Sequence, residues 1–338
     1  MDRTLTIAVY HGRVKATPHG PAFNNNTQYI QRVIHQFADE ILPEAGHVDL
    51  LVLHAYPSTG NIPGYVEGDD LAREKIRQRS LILNPTAATS SNPLHMILSE
   101  SARLGVNILY GPVYEVAGPR YYVTTALVTP EGEVYKYRRL CLTPRERRLG
   151  LSPGNEPVVF TITRDGRVVG RIGVFSDMDL ACPELFRSYR IMGVDVILGH
   201  AMPSPGQVVP LVEEGQVVTY EPCMLDKLVT VRAMDSGVPL VLVGGVLNIV
   251  GAGGRLVAKH WAPTVIVDPE GPGLESCFTL AGTVGDDSRP FLGPDSIGRF
   301  KTIHVESNSE RSLVDDPVEV NCKKSIKRII RSFCGGRR

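Results

Sequence analysis

The stretch that most constrains how this chain can fold runs from Val168 to Pro183, reading VVGRIGVFSDMDLACP and followed by Glu184. An apolar run rich in β-branched residues stops at the polar cluster Ser176-Asp177-Met178-Asp179. It gives way to Pro183-Glu184-Leu185-Phe186-Arg187. That pattern reads as a buried strand, a tight elbow and the start of a helix. Such an elbow displays one side chain. The strand alternation ends at Asp177 and the Pro-initiated helix begins only at Pro183, so Asp177 is expected to be that side chain. An acid at this place is either functional or a helix cap, and the residues alone leave both readings open.

The rest of the chain alternates strands with helices. Thr4 to Tyr10 is a short apolar strand, and Asn24-Asn25-Asn26-Thr27 is placed to cap a helix. The apolar residues Tyr29, Ile30, Val33, Ile34, Phe37 and Ile41 of that helix recur at helical spacing. Val48 to Leu53 is a fully apolar strand that ends in the loop His54-Ala55-Tyr56-Pro57. Residues 67–79 form an exposed helix or lid, and Leu94 to Leu104 a helix. Val106 to Tyr110, Tyr121 to Val128 and Val134 to Leu142 are strands, the last two joined by a turn at Pro130-Glu131-Gly132-Glu133. Thr143 to Asn155 reads as a charged loop, and Arg164-Asp165-Gly166 as a hairpin turn before the elbow. Beyond it come a helix over Glu184 to Met192, a strand over Val194 to Leu198 ending near His200, a helix over Cys223 to Asp235, and strands over Pro239 to Val246 and Thr264 to Val267. The alternation predicts an α/β fold, and the hairpins make its sheets mixed. One domain over residues 4–305 and a tail over 306–338 are expected.

Bulk electrostatics exclude little except a strongly charged partner. Lys and Arg number 36 against 36 Asp and Glu, a formal net charge of zero, so neither nucleic acid nor membrane is an expected partner. The N-terminus lacks a secretory pattern, and no apolar run reaches the roughly 18 residues of a membrane span. A cytoplasmic location is expected. The six cysteines form no CxxC pair and stand at no metal-ligand spacing from histidine. They are expected to be reduced thiols, with neither metal nor other cofactor bound. In the tail, Ile326, Ile329, Ile330 and Phe333 share one helical face opposite basic residues. Such a helix is expected to pack on the body or on a second subunit rather than on an anionic partner.

Four segments in this order resemble the nitrilase, or carbon-nitrogen hydrolase, superfamily. They are Leu50 to Pro57, Tyr135 to Leu140, Gly170 to Asp179 with Pro183-Glu184-Leu185, and Gly193 to Leu198. The turn at Thr129 to Glu133, Leu151-Ser152-Pro153-Gly154 and Val267 to Gly271 support them. The resemblance implies a four-layer α-β-β-α sandwich that dimerises by stacking sheets, so a homodimer or higher homo-oligomer is expected. It also implies chemistry on amides or nitriles by a Glu base, a Lys that offsets oxyanion charge, and a Cys nucleophile at the elbow.

Aligned on those motifs, this chain departs at all three positions. Tyr56 stands where the resemblance implies the Glu, Arg139 where it implies the Lys, and Asp177 where it implies the Cys, while a further family acid corresponds to Glu146. No other cysteine takes the elbow, and Cys182 is expected to point into helix packing. Thiol-dependent amidase or nitrilase activity is therefore not expected. The replacements form a polar set in which Arg139 and Asp177 can make a bidentate ion pair, with Tyr56 and Glu146 hydrogen-bonded to it. His54, His200 and Met178 are candidate lining residues, and Asp179 matches an acid that the family keeps for structure. Three functions remain open on the sequence. The first is a repurposed polar pocket acting on a small molecule, with specialised biosynthesis as the setting. The second is a noncatalytic scaffold or regulatory partner, and the third a hydrolase that uses Asp177 in place of Cys.

Overall fold

Period-two alternation in the first strand decides how the layers stack. Leu5, Ile7 and Val9 join one buried cluster and Ala8 and Tyr10 another, because successive side chains of a strand leave opposite faces. The computed structural model describes residues 4–11, 22–87, 92–201, 208–209, 218–219, 222–244, 246–250, 256–261, 264–267, 278–279 and 299–306. In chain order these form β1 (Thr4–His11), α1 (Ala22–Gln36), a π-helical turn (Phe37–Ile41), α2 (Leu42–Ala45), β2 (Leu50–Val52), α3 (Ile62–Tyr65), α4 (Asp69–Arg79) and α5 (Pro93–Leu104). Next come β3 (Asn107–Ala117), β4 (Arg120–Val128), β5 (Val134–Arg138), α6 (Pro144–Arg148), β6 (Val159–Arg164), β7 (Arg167–Ser176), a 3-10 turn (Asp177–Ala181), α7 (Pro183–Ile191) and β8 (Val196–Ala201). The remainder is β9 (Val208–Val209), β10 (Val218–Thr219), α8 (Pro222–Ser236), β11 (Leu240–Gly244), β12 (Val246–Val250), β13 (Leu256–Trp261), β14 (Thr264–Val267), β15 (Phe278–Thr279) and β16 (Arg299–Glu306).

Two seven-stranded sheets result, ordered β15-β16-β1-β2-β3-β4-β5 and β14-β13-β12-β11-β8-β7-β6. Each is mixed. β1, β2 and β3 run parallel while β3, β4 and β5 are antiparallel, and β7, β8 and β11 run parallel between antiparallel edges. Leu5, Ile7, Val9, Leu50 and Leu109 of the first sheet meet Ile172 and Val174 of the second. The outer face of the first sheet packs on Ile30, Val33 and Ile34 of α1 and on Leu94 and Ile97 of α5. The outer face of the second packs on α7 and α8 through Phe186, Tyr189, Val229 and Ala233. The architecture is thus the expected α-β-β-α sandwich with mixed sheets. No helix among the described residues is long and apolar enough to cross a membrane.

Several boundaries differ from the expectation, each for a local reason. α1 starts at Ala22, so the Asn run lies inside its first turns, where the Asn26 amide donates to the Ser58 carbonyl at 3.0 Å. β3 continues past Tyr110 to Ala117 by shifting register between Tyr110 and Val113, around Pro112, which has no N–H for the ladder. β5 stops at Arg138 rather than Leu142, because the Leu140 and Cys141 N–H groups turn away to the Asp179 carboxylate. The charged loop contains α6, which begins with a capping box made by Thr143 and Glu146. The basic helix expected at 322–333, the tail beyond 306 and the loop after Ala201 lie outside the described residues.

Candidate functional site

The elbow brings its acid to the end of the central strand pair. β7 and β8 run side by side with Ser176 opposite His200, and the chain then turns into the 3-10 segment at Asp177. Asp177 has φ 43°, in the left-handed region. Asp tolerates that region better than most residues. Its side chain is only 10% exposed, so the acid is not displayed to solvent as the sequence suggested. Nor is it the cap: Asp179 takes that task by accepting the Ser176 N–H at 2.9 Å. The Ser-x-x-Asp spacing of Ser176 and Asp179 is the sequence signal that assigns the cap.

The loop after β2 supplies the second side chain. Tyr56 has φ 52°, and its carbonyl accepts the Gly60 N–H at 3.0 Å, closing the turn. For a bulky residue this backbone is an outlier worth roughly 1–3 kcal/mol of strain. The ring is buried against Tyr114, with centroids 5.9 Å apart, and the hydroxyl donates to Asp177 Oδ2 at 2.8 Å. Burial, reinforced by the Asp177 and Glu146 charges and opposed by Arg139, holds the phenol well above its ordinary range. Tyr56 is therefore a neutral donor.

Arg139 joins the parts. It lies one residue past β5, where its N–H reaches the Val123 carbonyl at 2.9 Å and its carbonyl takes the Gly154 N–H at 2.7 Å. A Cβ on Gly154 would stand 2.1 Å from the Arg138 carbonyl oxygen, so only glycine permits this approach. The buried guanidinium donates through Nη1 to Asp177 Oδ2 at 2.9 Å and through Nη2 to Glu146 Oε1. The expected bidentate pair is instead a bridge, one nitrogen to each of two carboxylates. Glu146 is held for this by its capping box, with Oε2 accepting the Thr143 N–H at 2.8 Å. Burial works against the Arg139 charge, but Glu146, Tyr56 and Asp177 outweigh it and keep the group protonated. Arg139 Nε has no hydrogen-bond partner among the described residues.

The remaining candidates are placed differently. His54 packs edge-on against Tyr10 and Tyr29, at centroid distances of 5.5 and 5.7 Å, on the α1 side of the first sheet. His200 donates Nε2–H to the Leu53 carbonyl at 2.8 Å, and burial lowers its pKa to about 4. Its Nδ1 then carries the lone pair and has no partner among the described residues. Met178 is buried beside the elbow. Cys182 is buried in the core, with its thiol 3.5 Å from Glu184 Oε2. Among the described residues no group of three or more His, Cys, Asp or Glu side chains could hold a metal ion. The site thus offers a neutral phenol donor, a fixed cation and two carboxylates at one point. These are the parts of acid-base chemistry or of polar ligand binding.

No family model matches the chain. An (R)-stereoselective amidase from Pseudomonas sp. is 32% identical over 154 residues, 46% of this chain and 48% of that protein, so the match spans about half the length of the curated relative. Among solved structures, Nit3 of Saccharomyces cerevisiae, a member of branch 10 of the nitrilase superfamily, aligns with a TM-score of 0.59 and 14% identity over 99% of this chain and 96% of that one. A carbon-nitrogen hydrolase from Helicobacter pylori G27 aligns at 0.57 with 11% identity over 99% and 96%. An amidase from Nesterenkonia sp. aligns at 0.54 with 14% identity over 94% and 95%. Together with the two mixed sheets between helix layers, these likenesses give this chain the fold of the nitrilase, or carbon-nitrogen hydrolase, superfamily.

Proposed function

We propose that this chain is a carbon-nitrogen hydrolase homologue that does not run the thiol-dependent reaction and uses Tyr56, Arg139, Glu146 and Asp177 to bind and act on a small molecule. The observation that carries the reading is the left-handed backbone at both Tyr56 and Asp177, whose side chains meet at 2.8 Å. Among described non-glycine residues only Asp165, in a hairpin turn, shares that conformation. Strain held at two residues that face each other is characteristic of a site in use. In this reading Arg139 clamps a carbonyl or anionic group, the neutral Tyr56 hydroxyl donates a hydrogen bond and Asp177 serves as the proton acceptor. The function sits in a cytoplasmic homodimer whose body ends near residue 305.

A second reading, a noncatalytic scaffold, is favoured by the mutual pairing of the buried charges, since partnered ions persist once formed. Saturation-transfer NMR against a panel of small carboxamides, carboxylates and amines separates the two. The binding reading expects at least one compound to bind the native chain and to be lost in Asp177→Asn. A scaffold expects no compound to distinguish the two proteins.

A further inference from the structure

Asp179 is buried completely, and each of its oxygens serves a different part of the site. Oδ1 accepts the Leu140 N–H at 3.0 Å and the Cys141 N–H at 2.8 Å, in the segment directly after Arg139. Oδ2 accepts the Ser176 N–H at 2.9 Å, one residue before Asp177, and the Tyr137 hydroxyl at 2.6 Å. The two members of the ion pair come from different sheets, Arg139 from the end of β5 and Asp177 from the end of β7. One carboxylate therefore grips the backbone beside both.

We infer that Asp179 is a positioning residue of this site, a clasp between the two sheets that sets the distance from Arg139 to Asp177. The inference deepens the proposed binding role and rests on it for its functional meaning. Arg139 lies one residue past the end of β5, and beyond its own bonds to Val123 and Gly154 the chain leaves the ladder. Asp177 sits on a left-handed backbone, a conformation that persists only where the surroundings hold it. Four hydrogen bonds to one buried carboxylate tie the segment around Arg139 to the residue before Asp177. A cap alone would need only the Ser176 N–H; the bonds to Leu140 and Cys141 extend the grip to the other sheet.

The two oxygens make the inference separable by mutation. Asp179→Asn keeps an acceptor for Leu140 and Cys141 when its carbonyl takes the Oδ1 place, but it sets an amide donor against the Ser176 N–H. Tyr137→Phe removes only the hydroxyl from Oδ2. The readout is the nitrogen-15 spectrum of the Arg139 guanidinium, whose two Nη signals stay distinct while both carboxylates hinder its rotation. It is recorded together with circular dichroism and the melting temperature. We expect Asp179→Asn to merge the two signals in a protein that stays folded, and Tyr137→Phe to move them in the same direction by less. Distinct, unshifted Nη signals in both folded variants, with only the melting temperature lowered, would overturn the inference and leave Asp179 a structural cap. A merged signal in a chain that binds no compound would instead remove the binding role and keep the clasp.

Discussion

Arg138 and Arg139 are neighbours in sequence and opposites in environment. Arg138 closes β5 and donates through Nε and Nη2 to Glu115 at 2.9 and 3.0 Å, while its guanidinium stacks 4.0 Å above Tyr122. Glu115 also accepts Lys136 at 3.0 Å and the Thr124 hydroxyl at 2.7 Å. Every partner belongs to β3, β4 or β5, so the ladder that makes the sheet also makes the cluster. Burial raises the Glu115 pKa, but Arg138, Thr124 and Lys136 outweigh it and hold the acid below its ordinary value. Around Arg139 the arrangement is inverted, with one cation facing two acids. Its partners come from the loop after β2, from α6 and from the elbow, and two of the residues involved hold left-handed backbones. A charge cluster drawn from adjoining strands serves the sheet, whereas one assembled from strand ends across two sheets is what the proposed site requires.

That contrast orders the mutations. Arg139→Met leaves Asp177 and Glu146 buried without their cation and should cost about 3–5 kcal/mol in urea unfolding. A smaller loss would mean that solvent reaches the cluster. Next comes pH. Burial lifts Asp179 to about 6 in spite of the Tyr137 and Cys141 hydrogen bonds and the Arg139 charge, whereas Glu115 lies below its ordinary value, as does Asp49, where the Arg164, Thr6 and His47 hydrogen bonds outweigh burial. A raised carboxylate pKa stabilises below the unfolded value and loses that contribution as pH rises through the folded one. The Asp179 contribution should therefore be full below pH 3.8 and gone above about 6, on the order of 3 kcal/mol. Glu115 and Asp49 contribute in the opposite sense, losing stability as pH falls. Carbon-13 titration of the carboxyl signals checks all three, and an Asp179 midpoint at or below the ordinary value would erase the contrast.

Tyr56→Phe removes one hydrogen bond to a carboxylate and should cost about 1.5–3 kcal/mol of unfolding free energy, with ligand binding reduced as well. Glu115→Gln should cost only about 1–2 kcal/mol, because Arg138 and Lys136 are about one-third exposed and turn to water. Equal losses from Glu115→Gln and Arg139→Met would mean that both clusters are structural.

Much of the fold could be read from the sequence because it is written in short-range patterns. Alternation in β1, the helical stripe of α1 and the apolar runs of β2 and β7 each follow from burial on one or both faces. Asp177, Tyr56, Arg139 and Glu146 were locatable through motif order, and the structure brings these four together. What escaped was set by distant partners. The end of β5 and the exposure of Asp177 depend on contacts more than thirty residues away in sequence, made by Asp179 and by Arg139. The cross-sheet role of Asp179 is invisible in its own segment, where only the cap spacing shows. His54 was named as a lining candidate, but where its ring packs was not legible, because it follows Tyr10 and Tyr29 of other elements.

The central claim is that the Arg139 cluster receives a ligand. Crystals of the native chain and of Asp177→Asn, soaked with the compounds that pass the NMR panel, test this directly. Ligand density is expected within hydrogen-bonding distance of Asp177 and Arg139 in the native crystals and is expected to be lost in the variant. Density that persists unchanged in Asp177→Asn, or that lies only away from these residues, would contradict that claim.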